Sequence, residues 1–320
     1  MPDNASPGEF GLIDRYFRDA VARSDVQLGI GDDGALVEPP AERGLVQVID
    51  TMVADVHFPA EAPGDAVGHR ALAVNLSDLA AMGAEPAWAL LSLTLPARDE
   101  DWLAGFAQGF SALAATHAVA LIGGDTTRGP LTVTVQASGF VDTPLTRAGA
   151  RIGDRVWVSG DLGSAAGGLH AWQGGWQGCD SDALIRRLLY PAPRVALGQT
   201  LVGVATAAID ISDGLLADAG HIAEASAVRF NLVANRLPIA ETLTRQMGDT
   251  AAREAALRGG DDYELLFTAP AASDGAILAA AEQAGVEVTA IGDVTPGAGV
   301  ELDGEAVTGG YDHFRGGRDD

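Results

Sequence analysis

The apolar residues of the first half of the chain fall into short, strand-length runs separated by two longer amphipathic segments. Two segments carry apolar residues at helical spacing, and they predict helices over residues 68–82 and 100–117. Four runs that are apolar or alternating and end at Gly, Asp or Pro predict strands at residues 45–49, 87–95, 119–122 and 131–141. This alternation of strands and helices is typical of an α/β domain.

Residues 142–153 contain Pro144, Gly149 and Gly153, which interrupt the apolar periodicity of the chain. A second series of predicted elements follows this segment. In that series helices are predicted from Ser164 and over residues 215–225 and 275–285, and strands over residues 155–159, 205–211, 265–268, 286–291 and 300–302. The pattern predicts an α/β (α+β) chain of two domains, residues 1–145 and 146–320. No apolar run approaches the ~18 residues of a membrane span, and no targeting pattern opens the chain. We therefore expect a cytoplasmic protein with no membrane partner.

The charge of the chain excludes several function classes. The 20 basic residues, all Arg, stand against 44 acidic ones, so the formal net charge is −24. Nucleic-acid binding is not expected because it needs a basic footprint. The absence of Lys excludes Walker A NTPases and Schiff-base enzymes. The single cysteine, Cys179, excludes disulfide frameworks and Cys-type zinc sites, and we interpret residues 172–180 as a surface loop.

Carboxylates recur at or near the ends of predicted strands. The positions are Asp33, Asp50, Asp125, Asp210 and Asp213, to which Asp78 on the helix 68–82 is added. If these groups converge, they repel one another unless cations lie between them. Mg²⁺ suits such a set because it takes oxygen ligands and bridges to substrate phosphates.

Three interpretations stay open from the residues alone. Asp213 could instead cap the helix that follows it, because a helix N-terminus favours an anion. Asp78 and Asn75 share a helix face that could point either to solvent or into a polar site. The glycine-rich turn at residues 160–168 could cradle phosphate or could serve close packing.

Seven short motifs follow one another along nearly the whole chain, at residues 8–10, 29–33, 75–83, 121–127, 209–214, 259–265 and 310–314. Together they resemble the thiamine-monophosphate kinase family of the aminoimidazole-ribonucleotide-synthetase-like superfamily. The resemblance implies a PurM-like fold, with an N-terminal mixed-sheet domain that binds Mg-ATP and pairs two copies as a homodimer. The C-terminal α/β domain would complete the active site.

The resemblance also implies an activity: direct, in-line, Mg²⁺-assisted transfer of the γ-phosphoryl group of ATP to thiamine monophosphate. By position, several Mg²⁺ ions are expected at Asp33, Asp50, Asp78, Asp125, Asp210 and Asp213. ATP contacts are expected at Gly124, Asp125, Arg147 and Ser212, and thiamine-monophosphate contacts at His57, Asp261 and Tyr311. Asp125, Asp210 and Asp213 are expected to act in the transfer itself. The family's glutamate is replaced here by the shorter Asp261.

Two alternatives remain at this stage. The chain could be another ATP-using member of the superfamily, such as an aminoimidazole ribonucleotide synthetase, which releases free phosphate. It could also be a non-catalytic Mg-nucleotide-binding protein. The kinase interpretation has a physical advantage, because a phosphate acceptor with a second pKa of ~6 is already largely anionic and needs no strong general base.

Overall fold

The computed structural model describes residues 9–18 and 21–311. The chain divides into two compact domains. The N-terminal domain comprises the residues up to 79 and residues 85–142, and the C-terminal domain comprises residues 80–84 and those from 143 onward. Motif residues 8 and 312–314 lie outside the described residues. Within the described ranges, no helix is both long and apolar enough to cross a membrane.

The N-terminal domain is built on a four-stranded mixed sheet with the strand order β3-β6-β4-β5. Its elements are α1 (Glu9–Tyr16), β1 (Val26–Leu28), β2 (Leu36–Val37), β3 (Gly44–Val53), α2 (Gly64–Ala81), β4 (Glu85–Leu95), α3 (Glu100–Thr116), β5 (Ala120–Arg128) and β6 (Thr132–Val141). β6 is antiparallel to both β3 and β4, and β5 runs parallel to β4. The last two residues of α2 belong to the C-terminal domain.

The prediction that the third strand ends at residue 122 is wrong. β5 continues through Gly123, Gly124 and Asp125, which pair with Leu90, Leu91 and Ser92 of β4. Gly124 has a φ of 155°, and a Cβ at this position would lie 1.8 Å from the carbonyl oxygen of Leu91. The glycines therefore allow close strand pairing where the sequence suggested a loop.

The C-terminal domain contains a seven-stranded sheet with the order β13-β12-β9-β11-β7-β10-β8. Its strands are β7 (Asp154–Ser159), β8 (Ala207–Asp210), β9 (Arg229–Leu232), β10 (Leu265–Pro270), β11 (Val288–Thr295), β12 (Gly299–Leu302) and β13 (Glu305–Val307). Its helices are α4 (Ser164–Trp172), α5 (Cys179–Leu189), α6 (Val195–Leu201), α7 (Leu215–Ala225), α8 (Glu241–Met247), α9 (Asp249–Arg258) and α10 (Asp274–Ala284). The buried core includes Val156, Ile209 and Leu266 from the sheet and Leu215 and Ile222 from α7.

Several elements of this domain were not predicted from the sequence. Cys179 begins α5, so the interpretation of residues 172–180 as a loop is wrong at its end. α5 buries Leu184, Leu188 and Leu189 on one side and is otherwise largely polar. The predicted helix at 215–225 coincides with α7, which places Asp210 and Asp213 between an edge strand and a helix N-terminus.

Candidate active site

A cavity of about 890 Å³ lies beside β5 in the N-terminal domain. It is lined by the acidic turn at residues 29–35, by residues 121–126 of β5, and by parts of β4 and β6. Asp33, Gly124 and Asp125 therefore line one cavity, as a shared nucleotide and metal site requires. The acidic turn is followed by the short strand β2 at residues 36–37 and not by a helix.

Asp50 and Asp78 form a second carboxylate pair in this domain, and neither lines the cavity. Their side chains are hydrogen-bonded to each other. Burial raises the pKa of the Asp50 carboxyl, while the bond to Asp78 and the nearby His57 act in the opposite direction. Nδ1 of His57 accepts from the amide of Val53 at 3.0 Å, which in the neutral ring leaves the proton on Nε2. Two carboxyls in contact need either a shared proton or a cation.

Asn75 supports the view that this face of α2 is polar and buried. The residue is fully buried, and its side-chain amide nitrogen donates to the carbonyl of Ala71 at 3.0 Å. Its Oδ1 atom is buried and lacks a hydrogen-bond partner. A buried amide oxygen without a donor is costly, and it is a suitable partner for a cation or its bound water.

The second group of predicted residues lies on the turn between β8 and α7. Asp210 ends β8, opposite Leu265 of β10, and is 4% exposed. Gly214, and not Asp213, is the N-cap residue of α7, and it has no side chain with which to cap the helix. The interpretation of Asp213 as a simple helix cap is therefore wrong. Instead, the backbone amides of Ser212 and Asp213 both donate to Oδ2 of Asp218, each at 3.1 Å.

Asp218, a buried carboxyl in the first turn of α7, was not predicted from the sequence as a site residue. Burial, followed by the charges of Asp210 and Asp213, raises the pKa of Asp218 to about 8. An acidic residue in the first turn of a helix ordinarily complements the helix dipole at the surface. A sequence signal was available, because Asp218 shares a helix face with Leu215 and Ile222, which are buried in the core.

Residues 259–264 lie against the same turn. The amide of Asp261 donates to the carbonyl of Ser212, and the amide of Tyr263 donates to that of Ile211, both at 2.9 Å. Gly260 permits this approach, because a Cβ there would lie 2.4 Å from the Ser212 oxygen. Asp261 and Tyr263 have positive φ angles of 71° and 51°, a strained backbone that is common at binding sites. The Tyr263 hydroxyl donates to Oδ1 of Asp261 at 3.1 Å.

Tyr311, the last described residue, also contacts the turn between β8 and α7. The amide of Tyr311 donates to the carbonyl of Asp213 at 2.9 Å, and the Tyr311 side chain is largely exposed. Arg147 is exposed beside β8, since the neighbouring Thr146 carbonyl accepts from the amide of Ala208 at 3.1 Å. The turn thus gathers predicted metal, nucleotide and substrate residues within one domain.

The glycine-rich turn at residues 160–168 is occupied by a carboxylate of the protein. The fully buried Asp262 accepts from the amides of Gly163 at 2.6 Å and Ala165 at 3.3 Å, at the N-terminus of α4. Burial raises the pKa of Asp262 to about 7. Of the two interpretations left open, the structure supports close packing and not a phosphate cradle, because these donors already have a partner.

Metal binding by the predicted carboxylates is consistent with this arrangement. In the described part of the chain, no three His, Cys, Asp or Glu side chains form a cluster that could hold an ion on their own. Asp50 and Asp78 are in contact, and Asp33 and Asp125 line one cavity. Mg²⁺ usually takes one or two carboxylates together with waters and substrate phosphates. The Asp50–Asp78 contact and the orphaned Asn75 oxygen both fit such an ion.

Comparison with known proteins agrees with these observations. Residues 31–141 match the family described as AIR synthase related protein, N-terminal domain, and residues 151–305 match its C-terminal domain. The thiamine-monophosphate kinase of Escherichia coli K12 is 47% identical over 322 residues, which cover 96% of this chain and 98% of that protein.

Solved structures are similar to this chain over nearly its full length. A thiamine-monophosphate kinase from Stenotrophomonas maltophilia K279a has a TM-score of 0.88 and 50% identity, and the match covers 94% of this chain and 98% of that one. AaThiL complexed with AMPPCP and TMP has a TM-score of 0.78 and 34% identity, with 96% and 97% covered. The predicted two-domain α/β (α+β) fold is confirmed. The chain therefore belongs to the AIR synthase related proteins and, among them, to the thiamine-monophosphate kinase family.

Proposed function

We propose that this chain transfers the γ-phosphoryl group of ATP directly to thiamine monophosphate, giving thiamine diphosphate and ADP. The full-length identity to the E. coli kinase supports this activity. AaThiL was solved with AMPPCP and TMP, an ATP analogue together with the phosphate acceptor. Consumption of ATP in a biosynthetic step also favours a cytoplasmic location.

One observation in the structure carries the proposal. On the turn between β8 and α7, the backbone of Ser212 bonds to Asp261, and the backbone of Asp213 bonds to Tyr311. Residues assigned separately to ATP, to metal and to the thiamine phosphate are thus held together by hydrogen bonds inside a single domain. A protein that only bound a nucleotide would not need the residues on the acceptor side.

The charge of the substrates defines what the chain must do. Both are polyanions, and bound Mg²⁺ would neutralise and orient their phosphates. Asp210 and Asp213 would hold metal in the C-terminal domain, and Arg147 would contact a phosphate in a bidentate manner. The exposed Tyr311 ring would offer its face to the cationic thiamine, with Asp261 beside it. The acceptor oxygen is already anionic, so no residue has to remove a proton.

The N-terminal domain would contribute through its two carboxylate pairs. Asp33 and Asp125 line the cavity with Gly124, where backbone and metal could reach phosphates together. Asp50 and Asp78 are hydrogen-bonded to each other and would bind a further ion. His57, beside Asp50, would face the substrate phosphate.

We also propose that the chain is a homodimer formed through the sheet of the N-terminal domain. One face of this sheet presents Leu45, Ile49 and Leu90, which are 46%, 66% and 39% exposed. Ile49 and Leu90 both lie in register with Gln136 of the strand between them, so all three side chains share this face, where they also line the cavity. A second copy could bury this face. We expect Ile49→Asp to convert a dimer into a monomer in light scattering, whereas a wild-type monomer would contradict the proposal.

Phosphorus NMR of purified protein with ATP, Mg²⁺ and thiamine monophosphate tests the activity. We expect resonances of thiamine diphosphate and ADP without free phosphate. Asp210→Asn should stay folded and lose turnover by more than about 100-fold, as expected when a metal ligand is removed. Asp142→Asn, at an exposed carboxylate, is the control and should keep full activity.

Three results would contradict the kinase assignment. Release of free phosphate would favour an activity like that of aminoimidazole ribonucleotide synthetase. Binding of Mg-ATP without any turnover would favour a binding protein. Full activity of Asp210→Asn at saturating Mg²⁺ would show that the C-terminal metal residues are wrongly assigned.

A further inference from the structure

We propose that Asp218 is a positioning residue that holds Ser212 and Asp213 in the conformation in which they meet Mg-nucleotide. The inference rests on the proposed function of Ser212 and Asp213. It concerns a residue that would touch neither substrate nor product and would act through the backbone of its neighbours.

The geometry of the turn carries the inference. Asp218 lies in the first turn of α7 and is 2% exposed. A single oxygen, Oδ2, accepts from the amides of both Ser212 and Asp213 at 3.1 Å. These amides precede the N-cap Gly214, so α7 itself provides them with no carbonyl. The side chain of Asp218 therefore reaches back from the helix and fixes the loop before it.

The two sides of this loop are held by different parts of the chain. Its carbonyl groups accept hydrogen bonds from residues outside the loop. The Ser212 carbonyl accepts from the amide of Asp261, and the Asp213 carbonyl accepts from the amide of Tyr311. Its amides depend on Asp218. Removal of the Asp218 acceptor would therefore release the amide side while the carbonyl side and the packing of α7 remain.

Two substitutions separate the acceptor from the negative charge. Asp218→Asn keeps one carbonyl oxygen in the same place, and that oxygen can still accept from both amides. Asp218→Leu removes the acceptor at a similar volume, next to the buried Leu215 and Ile222 of the same helix face. If Asp218 acts by accepting these two hydrogen bonds, Asp218→Asn should preserve metal binding and Asp218→Leu should weaken it.

A matched control exists at the opposite end of strand β10. Asp154 is 3% exposed and accepts from the amide of Arg151 at 2.9 Å and from the Thr206 hydroxyl at 2.6 Å. It is paired with Pro270, whereas Asp210 is paired with Leu265, so the two sites are separated by about 17 Å along the strand. Asp154→Asn and Asp154→Leu make the same chemical changes at a buried aspartate away from the turn.

The test combines metal binding with local hydrogen exchange on the full-length protein. Binding of Mn²⁺, an oxygen-seeking substitute for Mg²⁺, is measured by electron paramagnetic resonance. We expect Asp218→Leu to raise the Mn²⁺ dissociation constant by about 10- to 100-fold and Asp218→Asn to stay within about threefold of wild type. The amides of Ser212 and Asp213 should exchange at least about tenfold faster in Asp218→Leu. The Asp154 variants should leave both quantities unchanged.

The outcomes distinguish this inference from the proposed function. If wild type binds Mn²⁺ and Asp218→Leu binds it equally well, the positioning role is refuted while the metal site stands. If Asp218→Asn loses as much affinity as Asp218→Leu, charge and not hydrogen bonding is responsible, and the inference is again refuted. If wild type binds no Mn²⁺, both assignments fail. Should Asp218→Leu not fold, as seen by circular dichroism, Asp218→Ala carries the same expectations.

Discussion

The strongest test of the C-terminal architecture is the replacement of Glu264 by Gln. Glu264 is buried and accepts from the Ser159 hydroxyl at 2.6 Å, from Arg187 at 2.9 Å and from Nε of Arg194 at 2.6 Å. Ser159 in turn accepts from the amide of Leu265 at 2.8 Å. One carboxylate thus holds two arginines against the start of β10, directly after the loop that carries Asp261.

The cost of Glu264→Gln can be derived from this arrangement. The glutamine amide places a donor where two guanidinium groups already donate, and the charge that balanced them is lost. Removal of one partner from a buried ion pair costs about 3–5 kcal/mol. The side chains of Arg187 and Arg194 keep 33% and 18% exposure, so water can partly replace the carboxylate. We therefore expect Glu264→Gln to lower the free energy of unfolding by about 3 kcal/mol, at the lower end of that range.

Urea unfolding followed by tryptophan fluorescence measures this loss. With an m-value of about 2 kcal/mol/M, the midpoint should fall by about 1.5 M. The matched control is Glu241→Gln, which breaks an exposed ion pair with Arg245 and should change stability by less than about 0.5 kcal/mol. If the two variants shift the midpoint equally, the Glu264 cluster does not stabilise the domain and the reasoning is refuted.

Two further predictions concern strand pairing and pH. Gly124→Ala would place a Cβ 1.8 Å from the Leu91 carbonyl oxygen, so we expect the free energy of unfolding to fall by more than about 2 kcal/mol in thermal unfolding. The control is Gly220→Ala on α7, where no atom lies near the added Cβ, and this variant should gain about 0.5–1 kcal/mol. Equal effects would contradict the strand pairing. Burial raises the pKa of Asp262 to about 7, so its proton is held more tightly in the folded state than in the unfolded one. Its contribution to stability is complete below about pH 4 and is lost as the pH rises through about 7. Asp262→Asn should flatten this slope in urea unfolding between pH 5 and 7.5, and an unchanged slope would count against the burial argument.

The regular elements could be predicted where the apolar period was strong and local. The strand at 131–141 and the helix at 215–225 are examples, because their own residues specify the period. β5 shows the limit of this reasoning. Residues 123–125 have the composition of a turn, and they become strand because β4 lies alongside them in parallel. Pairing between distant segments is not visible in local composition.

The candidate site, too, could be predicted from local sequence only in part. Which aspartates lie near strand ends could be predicted, but which of them touch protein donors could not. In residues 261–264, three carboxylates follow closely: Asp261 is partly exposed, while Asp262 and Glu264 are buried against backbone amides and arginines. The difference depends on strand β7 and helices α4 to α6, which are remote in sequence. Contacts between remote segments decide which carboxylates are already bound to protein donors, and such contacts are a tertiary property.

The buried carboxylates also explain why this site should depend on metal. Proteins commonly bind phosphate with a helix N-terminus or with paired arginines. In the C-terminal domain, Asp262 already occupies the N-terminus of α4, and Glu264 already engages Arg187 and Arg194. The chain has no lysine to replace them. On the proposed function, phosphate charge would be met by Arg147, by backbone amides and by cations held between aspartates, and this would account for carboxylates where a phosphate-binding enzyme would otherwise place positive charge.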